Sequence, residues 1–430
     1  MKRRTRVIAG LAAIAASTAA LSGCSAGSGE GDSDTLTLWH YEGADSAMGK
    51  AWDEAIKVFE EETGATVEFE EKGFEQIRST ASQVLNSNEA PDILEYAKGN
   101  GTAGLLASQG LLTDITDAVE EYGWDDKLAP ALQTTARYDE EGVMGSGPWY
   151  GVPNYGEFVT VYYNKDAFAE QGIAVPTTYA EFEAAMQKFT DAGITPLAEA
   201  AQEYPLGQLW YQLALSKADR SFVDDYQLYT NPVDWEGEAL TSATDTVKDY
   251  VDKGYISPDA SGLKAEDAGV SFINGDSPMF FSGSWWYGRF GEEIDFDWGI
   301  FEFPEAELNL GSAGNMWVVP ASAKNPDLAY KFIDITMRPE IQAILGNSGG
   351  LPVAADIEDI TDEKSKELID QFNTINERDG LAFYPDWPTP TFYDELNGEL
   401  QNLINGTEDS TQVLTTLGDD YDSYVDDFRE

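Results

Sequence analysis

The first stretch with a clear period is Thr35-Leu-Thr-Leu-Trp39, where polar and apolar residues alternate as in a half-buried strand. The period then lengthens. Ala51, Ala55, Val58 and Phe59 form one helical stripe, with Asp45 or Ser46 as its cap and Gly64 as its end. Ala65 to Glu70 returns to alternation and predicts a second strand, with Val67 and Phe69 on one face. A helix is expected around Ile77 to Leu85, and Pro91-Asp-Ile-Leu94 suggests a short buried strand. Strand, helix, strand, helix, strand is the order of an α/β unit with parallel pairing. A Gly/Pro-rich stretch at 145–153 then interrupts the pattern and marks a crossover. A second cycle follows. Val159 to Tyr163 is β-prone, and Phe182, Ala185, Met186 and Phe189 form a helix capped by Thr177 or Thr178 and stopped by Gly193. Met279-Phe-Phe281 and Trp298 to Phe301 are further β-prone pieces, and Asn325-Pro326 opens a helix with Leu328, Phe332 and Ile335 as its stripe. The end of the chain is helical, through Leu396, Leu400, Leu403 and Ile404 and then Val413, Leu414 and Leu417.

The N-terminus has a different logic. Lys2, Arg3, Arg4 and Arg6 precede a small apolar run from Val7 to Leu21, and Leu21-Ser-Gly-Cys24 closes it. A basic start, a short apolar core and small residues before a cysteine predict a secretory signal. The ending is similar to a bacterial lipobox, which implies cleavage before Cys24 and a lipid on its sulfur. The apolar run is shorter than the roughly 20 residues of a membrane span. Cys24 is the only cysteine, so no disulfide framework is expected. Ser25 to Asp34, rich in Gly, Ser and acidic residues, predicts a flexible tether. The formal net charge is −52, and removal of the four leading basic residues takes it to −56. Such a field disfavours nucleic acid and anionic ligands. With 42% hydrophobic and 12% aromatic residues the chain still has the composition of a folded core, so the acids belong on a solvated surface.

Catalytic patterns are scarce. His40 is the only histidine, which excludes the usual His/Cys zinc sites and leaves any Ser-His-Asp triad dependent on it. No G-x-S-x-G elbow, phosphate loop or dinucleotide fingerprint is present. Carboxylate pairs are common enough that no single one is informative. The positive signal is aromatic, and much of it falls in Gly/Pro-rich turns: Trp39-His-Tyr-Glu42, Asn154-Tyr155, Trp210-Tyr211, Ser284-Trp-Trp-Tyr287, Asn315-Met-Trp317 and Asp386-Trp387. Ligands of open α/β sheets bind beyond the carboxyl ends of strands. A pyranose ring offers an apolar face to an indole and a rim of hydroxyls to carboxylates, amides and histidine. Each of these residues has a plainer role open to it. His40 fits a hydrogen-bonded strand end as well as a ligand contact, and a single Trp fits core as well as cleft. Trp285 and Trp286 together are expected to give at least one ring to a ligand.

Several segments, taken in order, resemble the sugar-binding extracellular lipoproteins of ABC importers. They include Leu-Thr-Leu-Trp-His-Tyr at 36–41, Ala-Pro-Asp-Ile at 90–93, Tyr-Gly-Val-Pro at 150–153 and Tyr-Tyr-Asn-Lys-Asp-Ala-Phe at 162–168. Gly-Ser-Trp at 283–285, Lys-Asn-Pro-Asp-Leu-Ala-Tyr-Lys-Phe-Ile at 324–333 and Gly-Leu-Pro-Val at 350–353 continue the match. The resemblance implies a two-lobed periplasmic-binding-protein fold, each lobe a mostly parallel sheet flanked by helices, with a ligand cleft between them. Lobe one would combine 35–148 with 312–350, lobe two 153–306 with 351–430, and crossovers would lie near 146–154, 305–313 and 349–354. The cleft would be lined by His40, Tyr41 and Glu42, by Glu75, by Asn154 and Tyr155, and by Trp285 and Trp286. Asn315 stands where the family often has glycine, which could put an amide into the cleft. Trp210 and Trp387 join the site by their position in loops.

The implied function is capture of a mono- or oligosaccharide outside the cell and its delivery to a membrane permease, with no bond broken and no cofactor or metal. The chain would act as a monomer, tethered to the membrane through Cys24. Two rival functions remain open from the residues: a binding protein for a cationic or peptide ligand, and a secreted glycoside hydrolase using the same aromatic platforms.

Overall fold

The computed structural model describes residues 34–428. The signal segment, Cys24 and all of the tether except Asp34 lie outside the described residues. Two sheets organise the chain. The first has the order Thr66–Glu71, Thr35–His40, Ile93–Tyr96, Met316–Val318, Val152–Pro153, with the first three strands parallel and the last two ladders antiparallel. Helix Ala47–Thr63 covers it beside helices Pro326–Thr336 and Pro339–Asn347. Ser46 caps the first of these by accepting from the Gly49 amide at 2.9 Å, and Gly64 ends it in the left-handed region at φ 73°. Trp52, Phe59, Trp317 and Phe332 are fully buried between helices and sheet, with the Trp52 and Trp317 rings 5.6 Å apart.

The second sheet is built on the ten-residue strand Tyr155–Asn164, buried along its whole length. Trp298–Phe301, Met279–Gly283, Gly311–Ala313 and Leu351–Pro352 all pair with it antiparallel, and Leu197–Ala198 pairs parallel with Met279–Gly283. The parallel pairing expected of both lobes therefore holds for only one ladder of this sheet. The cause is the route of the chain. The long strand enters directly from the first sheet at Pro153 and runs away from the boundary, whereas Met279–Gly283 and Leu197–Ala198 run toward it. Helix Tyr179–Asp191 flanks this sheet and starts with a capping box between Thr178 and Glu181.

The chain passes between the sheets at 153–155, at 313–316 and between helix Pro339–Asn347 and Leu351. Gln342 ties two of these passages. Its Nε2 donates to the Asn154 carbonyl at 2.7 Å, and its Oε1 accepts from the Val353 amide at 2.8 Å. Phe69 and Val67 share a face of strand Thr66–Glu71, as the alternation predicts. Strand Thr66–Glu71 is a sheet edge, and the ring is 37% exposed, stacked on His40 at 4.1 Å.

Candidate functional site

The strands place their loops on the boundary between the sheets. Tyr41 and Glu42 follow Thr35–His40, and Ala97 and Lys98 follow Ile93–Tyr96, both at carboxyl ends. Phe74 opens helix Phe74–Leu85 on the same side. From the side of the second sheet come Tyr155 and Glu157 at the start of the long strand, Trp285 just after Met279–Gly283, and Tyr204 and Gln208 where helix Pro205–Leu215 begins. Together with Asn315, the loop Tyr384–Trp387 and Tyr393 they enclose a cavity of about 240 Å³. Eight of its lining residues are aromatic: Tyr41, Phe74, Tyr155, Tyr204, Trp285, Tyr384, Trp387 and Tyr393.

Two glycines let rings lie flat on backbone. A Cβ at Gly283 would come within 1.9 Å of the Trp285 ring, and one at Gly314 within 2.2 Å of the Tyr155 ring. The Trp285 ring meets Tyr204 edge to face at 5.6 Å, and Tyr384 and Trp387 lie 5.4 Å apart. These contacts fix the rings in place before a ligand arrives, so little rotamer freedom remains to be lost on binding.

The polar groups are unequally paired. Lys98, after a strand of the first sheet, and Glu157, on the long strand of the second, are buried and form an ion pair. Lys98 also donates to Asn315 Oδ1 at 3.2 Å, and Asn315 Nδ2 donates to the Tyr155 hydroxyl at 3.1 Å. Glu42 accepts from the Ser46 hydroxyl at 3.2 Å. Burial pushes the Glu42 carboxyl up to about 7, with the Glu157 carboxylate adding to the rise. Asp386 is pushed up to about 6 for the same first reason. Beneath the floor, Glu95 is 1% exposed, and burial followed by the charge of Glu42 raises it well above the carboxylate range, with Lys98 and the Tyr155 hydroxyl opposing the rise. Among the described residues no group of three or more His, Cys, Asp or Glu side chains is placed to hold a metal ion.

The mouth is bridged as well. Arg78 donates to Asp394 Oδ1 at 2.7 Å and packs on the Tyr393 ring at 4.1 Å, while the Tyr393 hydroxyl donates to Glu75 Oε1 at 2.7 Å. Helix Phe74–Leu85 is thereby held to helix Phe392–Asn405.

The profile of the family described as bacterial extracellular solute-binding protein matches residues 54–371. The chain belongs to that family. Among curated relatives, a probable sugar-binding periplasmic protein of Rhizobium meliloti is 27% identical over 49% of this chain and 45% of its own. The chain thus spans a little under half the length of that relative. A maltooligosaccharide ABC transporter solute-binding lipoprotein of Streptococcus pneumoniae is 23% identical over 80% of this chain and 78% of its own. Among solved structures, a chitin oligosaccharide binding protein superposes with a TM-score of 0.79 at 24% identity, covering 92% of this chain and all of that one. That likeness establishes the two-lobed α/β fold.

Within this solute-binding protein the residues singled out from sequence divide into three groups. Tyr41, Glu42, Tyr155, Trp285, Asn315 and Trp387 line the cavity. Glu75 stands at its lip and touches it through Tyr393. His40, Asn154, Trp210 and Trp286 are corrected to structural positions. His40 is 2% exposed under Phe69; its Nδ1 accepts from the Glu42 amide, and burial lowers it to about 4, so it is a neutral strand-end histidine. Asn154 is buried in a crossover. Trp210 lies inside helix Pro205–Leu215 and donates to Thr244 Oγ1 at 2.9 Å, because Pro205 starts a helix there instead of a turn. Trp286 turns inward onto Phe290 and Phe280, under Gly269. Sequence reasoning missed Phe74, Lys98, Glu157, Tyr204, Gln208, Tyr384, Asp386 and Tyr393. Glu157 carried a signal, as a lone charge at the head of an otherwise apolar strand. Asp386 carried another, beside Trp387 between prolines.

Proposed function

We propose that this chain captures a mono- or oligosaccharide outside the cell and hands it to the permease of an ABC importer. The observation that carries this is the cavity between the sheets, walled by aromatic rings and edged by carboxyls and amides. Flat rings suit the C–H face of a pyranose, and the polar rim suits its hydroxyls. The size suits one or two sugar rings. Tyr41, Glu42, Tyr155, Trp285, Asn315 and Trp387 are the proposed ligand contacts, joined by Lys98, Glu157 and Asp386. Glu75 is assigned to the lip. Lobe one would comprise about 35–148 and 312–350, and lobe two 153–306 with the C-terminal helices.

The ligand is held and released without a bond being broken, which accords with a solute-binding family. Closure of the lobes on a sugar would be the signal read by the permease. The pattern from Lys2 to Cys24 supports export and lipid attachment at Cys24, with the folded part acting as a monomer on the outer face of the membrane. Among the described residues no helix is long and apolar enough to cross a membrane. The test is a tryptophan fluorescence titration against a panel of mono- and oligosaccharides. Saturable quenching or enhancement by at least one sugar is expected, together with a raised melting temperature. Release of reducing ends from any of them would support the hydrolase instead.

A further inference from the structure

Resting on the saccharide reading, we infer that the preferred ligand is an amino sugar, bound with its ammonium group beside Glu42. The cavity has an uneven charge balance. Three carboxyls line it, Glu42, Glu157 and Asp386, and the single lining cation is Lys98. Lys98 is already committed to Glu157 and Asn315. Glu42 accepts its one side-chain hydrogen bond from a serine hydroxyl, and Glu95 lies close enough for the two carboxyls to interact.

The cavity wall also holds an unpaired acceptor. Gln208, 3% exposed, leaves its Oε1 without a donor. Buried acceptors without donors are costly, more so when charged. A hydroxyl brings one donor together with acceptors of its own. An ammonium brings three donors, no acceptor and a second positive charge beside that of Lys98. The burial that disfavours Glu42 and Glu95 as anions would be offset by a cation placed against them.

The rings add to this. Lys98 Nζ lies 5.4 Å from the centroids of both Tyr384 and Trp387, so this wall already faces a cation. The net charge of −52 favours approach of a positive ligand.

The test uses matched pairs: oligomers of glucosamine two to four units long, their N-acetylated counterparts, and malto-oligosaccharides of the same lengths. Each is titrated calorimetrically into the protein at pH 7 in low salt and in high salt. The amine form is expected to bind at least about tenfold tighter than its acetylated partner at low salt. That preference should shrink several-fold at high salt, as it does for a charge-dependent contact. Glu42→Gln, checked for a cooperative melt at pH 7 at a temperature no lower than that of the wild type, should reduce the ratio between the two forms to near one. If that variant does not fold, Asp386→Asn serves in its place, with a smaller expected loss of preference. Equal or tighter binding of the neutral forms, independent of salt, would overturn the amine assignment while leaving the saccharide reading intact. Silence from every saccharide would overturn both.

Discussion

Trp285 and Trp210 show how much a residue's role depends on what lies opposite it. Trp285 rests on Gly283 and turns its ring to the cavity, whereas Trp210 is fully buried and bonded to Thr244. Trp285→Ala is expected to raise the Kd for a bound sugar about thirtyfold, roughly 2 kcal/mol, and to leave the melting temperature nearly unchanged. Trp210→Phe should do the reverse, costing about 1–3 kcal/mol of stability through the lost indole hydrogen bond to Thr244 and lost volume, with affinity unchanged. Paired calorimetric titration and thermal melts separate the two. The local sequence does not distinguish them, since each tryptophan lies within a few residues of Gly or Pro. Glu42 and Asp386 give a pH signature. Both are raised in the folded state, to about 7 and about 6, so the folded form holds protons that the unfolded chain releases. The stability they contribute is full below the ordinary carboxylate range and is lost as pH rises from about 4 to about 7. Melting temperature should decline across that window, and Glu42→Gln should flatten part of the decline. An equal slope in wild type and variant would contradict the assignment.

At the scale of elements, caps and periodic faces were legible in the chain. Ser46, Gly64 and Thr178 mark the helix ends that the pattern placed near them. The crossover strands were not legible, because Val152–Pro153, Gly311–Ala313, Met316–Val318 and Leu351–Pro352 are two or three residues long and too short to show a period. Strand direction in the second sheet was hidden for another reason. It is set by pairing across more than a hundred residues, as between Val159 and Gly283. The same distance hid Lys98, Tyr204 and Tyr393, which reach the cavity only through the fold. Gly314 gives a test at this scale. Its missing Cβ makes room for the Tyr155 ring, so Gly314→Ala should displace Tyr155 from Asn315 and weaken sugar binding at least about tenfold. Wild-type affinity in that variant would show that the close approach is dispensable.

For the whole molecule the decisive feature is contact between lobes on both sides of the cavity. Lys98–Glu157 joins them at the floor, and Arg78 with Asp394, Tyr393 and Glu75 joins them at the mouth. The partly exposed Arg78–Asp394 pair at the mouth contributes about 0–1 kcal/mol, enough to bias a two-state opening without locking it. Arg78→Ala is therefore expected to enlarge the radius of gyration of the ligand-free protein in small-angle scattering and to lower sugar affinity about fivefold. No change in either quantity would remove the mouth contacts from the closing equilibrium. The claim on which the rest depends is that a saccharide binds in the cavity between the lobes, stacked on Trp285 and Trp387. Calorimetric titration of the wild-type protein and of the Trp285→Ala, Trp387→Ala double variant with the same saccharide panel addresses it directly. One-to-one binding of at least one saccharide, abolished in a double variant that still melts cooperatively, is the predicted result. Undiminished binding by the double variant, or no heat from any saccharide with the wild type, would contradict it.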